Sequence, residues 1–270
     1  MEQNRNRMLV LVKGAGDLAS GVALRLHRAG LQVAMTDLAV PTAIRRSVSF
    51  CPAITEGSAR VEDVTGRAAA GQEDAARIWA AGEIPVLADP AAACLAWMRP
   101  QVLVDAILAK KNTGTALGDA PIVIALGPGF TAGVDCHAVV ETMRGHDLGR
   151  VFYQGSALAN TGVPGEIGGY TEERVMHAPA AGVFQGLRSI GDQVEAGETV
   201  ALVGGEPVRA KIGGVLRGIL ADGVYAGKGM KCADVDPRCR AENCFTVSDK
   251  ARSLGGAVLE VVGALRAARL

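Results

Sequence analysis

Residues 13–21 read Lys-Gly-Ala-Gly-Asp-Leu-Ala-Ser-Gly, and the patterns on either side of them restrict the fold more than any other feature of the chain. Before them, residues 8–12 form a short apolar run suited to a strand covered on both faces. After them, Leu18, Val22, Leu26 and Ala29 fall on one helical face, and Gly30 supplies a stop. Gly14 and Gly16 therefore occupy a strand-to-helix turn. Gly14 permits the tight turn, Gly16 lets a pyrophosphate approach the main chain, and Ala19 allows helix and strand to pack closely. The N–H groups at the start of the helix, where Asp17 stands, and the positive end of its dipole would face the phosphates. Residues 32–36 read as the next strand and end at Asp37, about 20 residues downstream, where a carboxylate can meet ribose hydroxyls. The plainer alternative is a glycine turn that packs a βα unit and binds nothing.

A chain of 270 residues can bury a large core and is expected to hold two domains. With 28 basic and 28 acidic side chains it has no electrostatic case for nucleic acid or an anionic membrane. At 4% aromatic content it has few rings on which bases could stack. No apolar run is long enough to span a bilayer, and the polar start followed by a short strand does not read as a signal peptide. The expected location is cytoplasmic. Six cysteines without a Cys-x-x-Cys pair read as reduced, mostly structural thiols, and no metal site is expected among Cys232, Cys239 and Cys244.

Residues 1–155 alternate short apolar strands with helices. Helices are expected over residues 73–81 and 91–98 and beginning near Pro41, and strands over 84–88, 102–108 and 121–126. That alternation predicts an α/β fold with a Rossmann-like doubly wound sheet as a nucleotide-binding domain. Residues 156–173 are a Gly/Pro-rich connection. Residues 174–238 carry an internal repeat. Ala178-Pro179-Ala180-Ala181-Gly182-Val183-Phe184-Gln185-Gly186-Leu187 aligns with Ala210-Lys211-Ile212-Gly213-Gly214-Val215-Leu216-Arg217-Gly218-Ile219, and Val194-Glu195-Ala196-Gly197 aligns with Val224-Tyr225-Ala226-Gly227. Two such units predict a small pseudo-symmetric β module, similar to the barrel-sandwich hybrid of biotinyl and lipoyl carrier domains. The central tip, Gly204-Gly205-Glu206-Pro207, lacks the lysine that a swinging-arm carrier needs. Residues 239–270 form a C-terminal segment and helix, with Ala251, Leu254, Val258 and Leu265 on the buried stripe.

Gly127, Gly129 and Phe130 follow the apolar strand that ends at Leu126, so their loop is expected to rim the same crevice as the Gly14 turn. Asp135, Cys136 and His137 come next. If they converge on that crevice, Cys136 would be a thiolate nucleophile with His137 as base or orienting group; otherwise they are a buried thiol and a hydrogen-bonded histidine. Asp37 favours NAD over NADP; Arg45 and Arg46, with Thr42 beside them, would reverse that preference, hold another anion at the start of the second helix, or form a solvated helix face. Asp105 suits a buried ion pair or a substrate contact. There is no Gly-x-Ser-x-Gly, no His-Glu-x-x-His and no Walker lysine, which disfavours ordinary hydrolase and nucleoside-triphosphatase chemistry.

Seven stretches together resemble one family. They are the residue 13–21 turn, Pro41-Thr42-Ala43-Ile44-Arg45-Arg46, Gly127-Pro128-Gly129-Phe130 with Asp135 and His137, Val139-Val140-Glu141-Thr142, Asn160-Thr161-Gly162-Val163-Pro164-Gly165, Asp234-Val235-Asp236-Pro237-Arg238, and Ser248-Asp249-Lys250-Ala251-Arg252. They resemble the selenium-dependent molybdenum hydroxylase accessory family of the YqeB type over nearly the whole chain. More distantly, they are similar to the XdhC-like xanthine dehydrogenase accessory proteins. The resemblance implies a maturation protein for a molybdenum hydroxylase client, binding NAD(P) or a dinucleotide form of the molybdenum cofactor in the crevice. It also implies a part in inserting or modifying the cofactor's terminal chalcogen, but carries over no catalytic residue, so whether Cys136 or Cys244 would handle sulfur or selenium stays open. Two other readings are an NAD(P)-dependent oxidoreductase with His137 as its acid, and a non-catalytic nucleotide sensor or chaperone. A homo-oligomer is compatible with each.

Overall fold

In a computed structural model, residues 7–163 and 165–267 are described; Pro164 of the Asn160–Gly165 motif and the polar leader before residue 7 lie outside them. The chain forms two compact units, residues 1–41, 49–160 and 247–270 in one and residues 42–48 and 161–246 in the other.

The first unit is mixed α/β. Its elements are β1 (Leu9–Lys13), α1 (Asp17–Arg28), β2 (Gln32–Asp37), α2 (Ala53–Glu56), β3 (Ser58–Val61), β4 (Val64–Ala68), α3 (Gln72–Ala80), β5 (Ile84–Ala88), α4 (Leu95–Met98), β6 (Val102–Asp105), β7 (Ile122–Leu126), β8 (Ala138–Val140) and β9 (Val151–Phe152). The nine strands form one sheet in the order β3-β4-β5-β2-β1-β6-β7-β8-β9. From β4 to β8 every pairing is parallel, and an antiparallel strand closes each edge. The central strands are apolar along their length because both faces are covered: Val10, Leu11, Val12, Leu103, Val104, Ile124 and Leu126 are all buried. After β1 the chain builds outward on one side through β2 and β5, then returns to the other side of β1 with β6. The strand order therefore reverses between β1 and β6, the place at which open α/β sheets hold ligands outside the C-terminal ends of their strands.

The last helix, α5 (Asp249–Ala267), packs on α1 within this unit. Missing side chains permit the approach. A Cβ at Gly21 would stand 2.6 Å from Ala251 Cβ, and one at Gly255 would stand 2.9 Å from Arg25 Cβ and 3.0 Å from Gly21 O. The C-terminal helix thus completes the first unit, while residues 239–246 belong to the second.

The second unit holds β10 (Val175–His177), β11 (Gly182–Gly186), β12 (Gln193–Val194), β13 (Thr199–Val203), β14 (Glu206–Arg209), β15 (Gly214–Ile219), β16 (Tyr225–Ala226) and β17 (Lys231–Asp236). They make two four-stranded sheets, β10-β17-β15-β12 and β14-β13-β11-β16. Exchanging β10–β13 with β14–β17 turns one order into the other. The sequence repeat is therefore a structural repeat in which each half lends strands to the other's sheet. The corner glycines match as well: a Cβ at Gly182 would stand 2.5 Å from Gly204 Cα, and one at Gly214 would stand 2.5 Å from Asp236 O. Phe184, Val200, Val203, Leu216 and Ile219 pack in the core of this module.

No helix begins at Pro41. Residues 42–48 instead lie against β15, where the Ile219 amide donates to Ile44 O (2.8 Å) and Arg46 Nε donates to Ile219 O (3.0 Å). A short 3-10 turn, Arg46–Val48, is the only helical structure there. Helix propensity near the proline yields to pairing with a β strand.

Candidate functional site

The residues that could hold a ligand in the first unit gather at the C-terminal ends of β1, β2, β6 and β8. Gly14 leaves β1 with φ +93°. Its amide donates to Thr36 O (2.8 Å), and a Cβ there would stand 2.8 Å from Ala106 O. Gly14 is needed because the chain after β6 runs directly over it. The Ala15 amide donates to Asp37 Oδ2 (2.7 Å), and the Leu38 amide donates to Asp37 Oδ1 (2.7 Å). The Gly14 and Ala15 amides are therefore committed to the protein itself. The start of α1 has Gly16 as its N-cap residue and no side-chain cap. Asp17 opens that helix half-exposed, and Ala19 is buried beneath it. Burial raises the Asp37 pKa above the usual carboxylate range, and its two amide donors oppose the rise.

Below the turn lies a buried polar triad. Lys13 Nζ donates to Thr115 Oγ1 (2.6 Å), whose hydroxyl donates to Asp105 Oδ2 (2.5 Å), and Nζ stands 3.7 Å from the same carboxylate oxygen. Asp105 is thus a buried ion-pair partner at the C-terminal end of β6. The loop above it carries Leu108 and Lys110 with left-handed backbones, at φ +61° each. Backbone of this kind in non-glycine residues concentrates at binding sites. Exposed Leu38 and Ile107 follow β2 and β6 at the same edge, offering apolar surface for a flat ring.

Lys250 is a residue that reasoning from the sequence missed. It stands in the first turn of α5, and burial lowers its pKa, with Arg144 pushing the same way and Asp17, Glu141 and Lys110 among its other charged neighbours. The first turn of α5 packs along α1, where Gly21 meets Ala251, so Lys250 brings a positive charge to that side of the helix. The signal in the sequence was the misplaced charge, since a cation in a helix's first turn opposes the dipole. Glu141, 1% exposed, is fully engaged by the amides of Thr142, Met143 and Leu158, each at 2.7 Å.

The remaining expected site residues are placed differently. Gly127 and Gly129 do follow β7 at the C-terminal edge, but their open faces pack on Thr142 and on the Lys110–Lys111 backbone. Phe130 is buried in the hydrophobic core. Asp135 accepts from the Thr131 amide (2.7 Å) and shapes its own loop. Cys136 and His137 precede β8, and His137 is level with Val123 near the start of β7, toward the opposite edge of the sheet from Gly14. Two features explain this: β8 runs parallel to β7, so the residues before it lie at the N-terminal edge, and His137 Nδ1 accepts the Val123 amide there (3.0 Å). Cys136 is fully buried, and burial with Asp135 close by pushes its thiol up to about 12, so it is a packed thiol rather than a thiolate. Thr42, Arg45 and Arg46 belong to the second unit: Thr42 is exposed, Arg45 Nη2 donates to Asn243 O (3.3 Å), and Arg46 bonds as described above. Cys232 and Cys244 are buried and Cys239 is exposed. Among the described residues no group of three His, Cys, Asp or Glu is arranged to hold a metal, and no helix is long and apolar enough to cross a membrane.

No family model matches the chain. It is 50% identical over 254 residues, 94% of its length, to a protein of Escherichia coli (strain K12) called "Uncharacterized protein YqeB". It spans 47% of that protein, about half the length of the curated relative it matches. Among solved structures it resembles an aspartoacylase family protein from Mesorhizobium loti (TM-score 0.29, 15% identity, 87% of this chain and 86% of that one). It also resembles the ectoine utilization protein EutE (DoeB) from Ruegeria pomeroyi (TM-score 0.26, 12% identity, 85% of each). What carries over is the similarity to YqeB along nearly all of this chain.

Proposed function

We propose that the first unit is a Rossmann-like domain that binds a phosphate-bearing dinucleotide, NAD(P) or a dinucleotide form of the molybdenum cofactor. The pyrophosphate would lie at the start of α1. The observation that carries this reading is the conjunction, at the point where strand order reverses, of a helix start without a side-chain cap and the first turn of α5, which carries Lys250, packed on α1 where Gly21 meets Ala251. Asp37 keeps a second lone pair on each oxygen for ribose hydroxyls, and Leu38 and Ile107 would flank a base. The whole protein then acts as an accessory factor in maturing a molybdenum hydroxylase, as the resemblance to the YqeB type implies, with the barrel-sandwich-like second unit serving client docking.

Sulfur or selenium transfer through Cys136 is not part of this proposal, because that thiol is buried and protonated. Hydride transfer relied on His137, and its place toward the N-terminal edge leaves that alternative without its acid.

Titration calorimetry with NAD, NADP and a molybdopterin dinucleotide tests the binding. The expected result is saturable binding of at least one of them, weakened about tenfold, or about 1.4 kcal/mol, in K250M. Absence of heat with all three, or unchanged affinity in K250M, contradicts it. For the maturation role the readout is molybdenum hydroxylase activity in cells lacking the gene; undiminished activity there overturns it.

A further inference from the structure

The two repeats of the second unit present equivalent outer faces, and this chain covers only one of them. Side chains alternate along a strand, so with Phe184 in the core, Val183 and Gln185 point outward from β11, and Leu187 just beyond it does the same. Leu202 on β13 is level with Gln185, Pro207 on β14 with Leu202, and Tyr225 on β16 with Val183. Val183 is 58% exposed, Leu187 48% and Tyr225 68%, and Pro207 is exposed as well. Together they make an apolar strip across all four strands of the β14-β13-β11-β16 sheet.

On the other sheet the matching positions include Val215 on β15 and Asp234 on β17, both buried. Segments of the same unit lie over them. A Cβ at Gly218 would stand 3.1 Å from Ile44 Cγ1, Cys244 Sγ stands 3.8 Å from Leu216 O, and Arg174 pairs with Asp234. The chain thus hides the face that carries Asp234 and leaves bare the face that carries Leu202. Burial for its own sake runs the other way, and a bare apolar face of this kind marks a contact surface.

Charge and area say what covers it. No ionisable side chain lies within the strip, and Arg209 at its margin is tied through Nη1 to Gly197 O (3.1 Å). A charged partner finds nothing to pair with there, whereas a second copy brings the same uncharged surface. With 28 basic and 28 acidic side chains, two copies carry no net charge to keep them apart. Pro207 also removes an amide from edge strand β14, which blunts strand addition and directs contact to the face. Two such sheets laid face to face bury on the order of 500 Å² per copy, or about 1,000 Å² together, at the lower bound for a specific interface.

We propose that this face joins two copies of the chain in a reversible, isologous dimer built on Val183, Leu202 and Tyr225. It goes beyond the ligand site in the first unit and does not depend on it.

Sedimentation velocity of the full chain from about 1 to 200 μM tests the dimer, with a midpoint on the order of 10 μM expected. V183E and Y225E each put a carboxylate into the strip and should weaken association by about tenfold or more. Both should keep the wild-type Tm within about 2 °C, because the side chains they replace are exposed. V134E, altered at a side chain 69% exposed in the first unit, should dimerise as the wild type does. A wild type that stays monomeric throughout, undiminished association in both strip variants, or failure of both to fold would each overturn the proposal. Association lost in V134E but kept in V183E and Y225E would also overturn it, since the contact would then lie in the first unit.

Discussion

Lys250 stands in the first turn of α5 with the wrong charge for its position and sits where burial penalises that charge. The folded pKa lies below that of the unfolded chain, so between the two values the unfolded chain holds a proton that the folded one has released. Stability should therefore rise with pH through that window, and below it the full penalty persists. K250M is expected to be more stable than wild type at neutral pH and to lose this rise, as read from denaturant midpoints between pH 7 and 11. Asp105 gives the opposite case. It is 2% exposed and answers a lysine that is itself 5% exposed, so Asp105→Ala leaves a buried charge alone and should cost about 3–5 kcal/mol in urea unfolding. The cysteines give a third. Five are buried, with burial raising Cys94 and Cys136 to about 12 and Cys232 to about 11, whereas Cys239 is exposed. A native thiol titration should find one fast-reacting cysteine per chain; a fast-reacting Cys136 would restore it as a nucleophile.

At the scale of elements, the close contact of α1 with α5 makes a firm prediction. Gly21→Ala puts a methyl group 2.6 Å from Ala251 Cβ, and with backbone on both sides neither helix can yield cheaply. It should cost about 1–3 kcal/mol in chemical denaturation, with the strands of the second unit unaffected. This contact was not legible beforehand, although both partners were. The apolar runs at residues 8–12, 32–36 and 84–88, and the helical stripe from Leu18 to Leu26, fall where β1, β2, β5 and α1 lie, because period and burial write directly into sequence. The β3–β4 hairpin gave no such signal. Its strands are short, half-exposed edge pieces joined by Glu62 and Asp63, with Glu62 in a left-handed backbone that no glycine announced. Pro41 misled for a related reason: local helix chemistry says nothing about a β strand that lies far along the chain.

At the scale of the whole chain, the repeat was visible as two aligned ten-residue stretches, and its consequence, that each half completes the other's sheet, needed the pairing. The same limit applied to the sites. The glycine turn and Asp37 were readable, since a tight turn and an acid at a strand end leave fixed spacings. Lys250 was not, because its neighbours Asp17, Lys110 and Glu141 come from three distant segments. Which of the two readings of Cys136 and His137 holds was not legible, because adjacency to a glycine loop does not reveal which end of the next strand they occupy.

Hydrogen exchange with and without a dinucleotide tests the central claim most directly. On this account NAD, NADP or a molybdopterin dinucleotide slows exchange in residues 16–20, the first turns of α1, and in the 106–111 loop above Asp105. Unchanged exchange in both segments with ligand bound, or protection confined to other parts of the sheet, would contradict it.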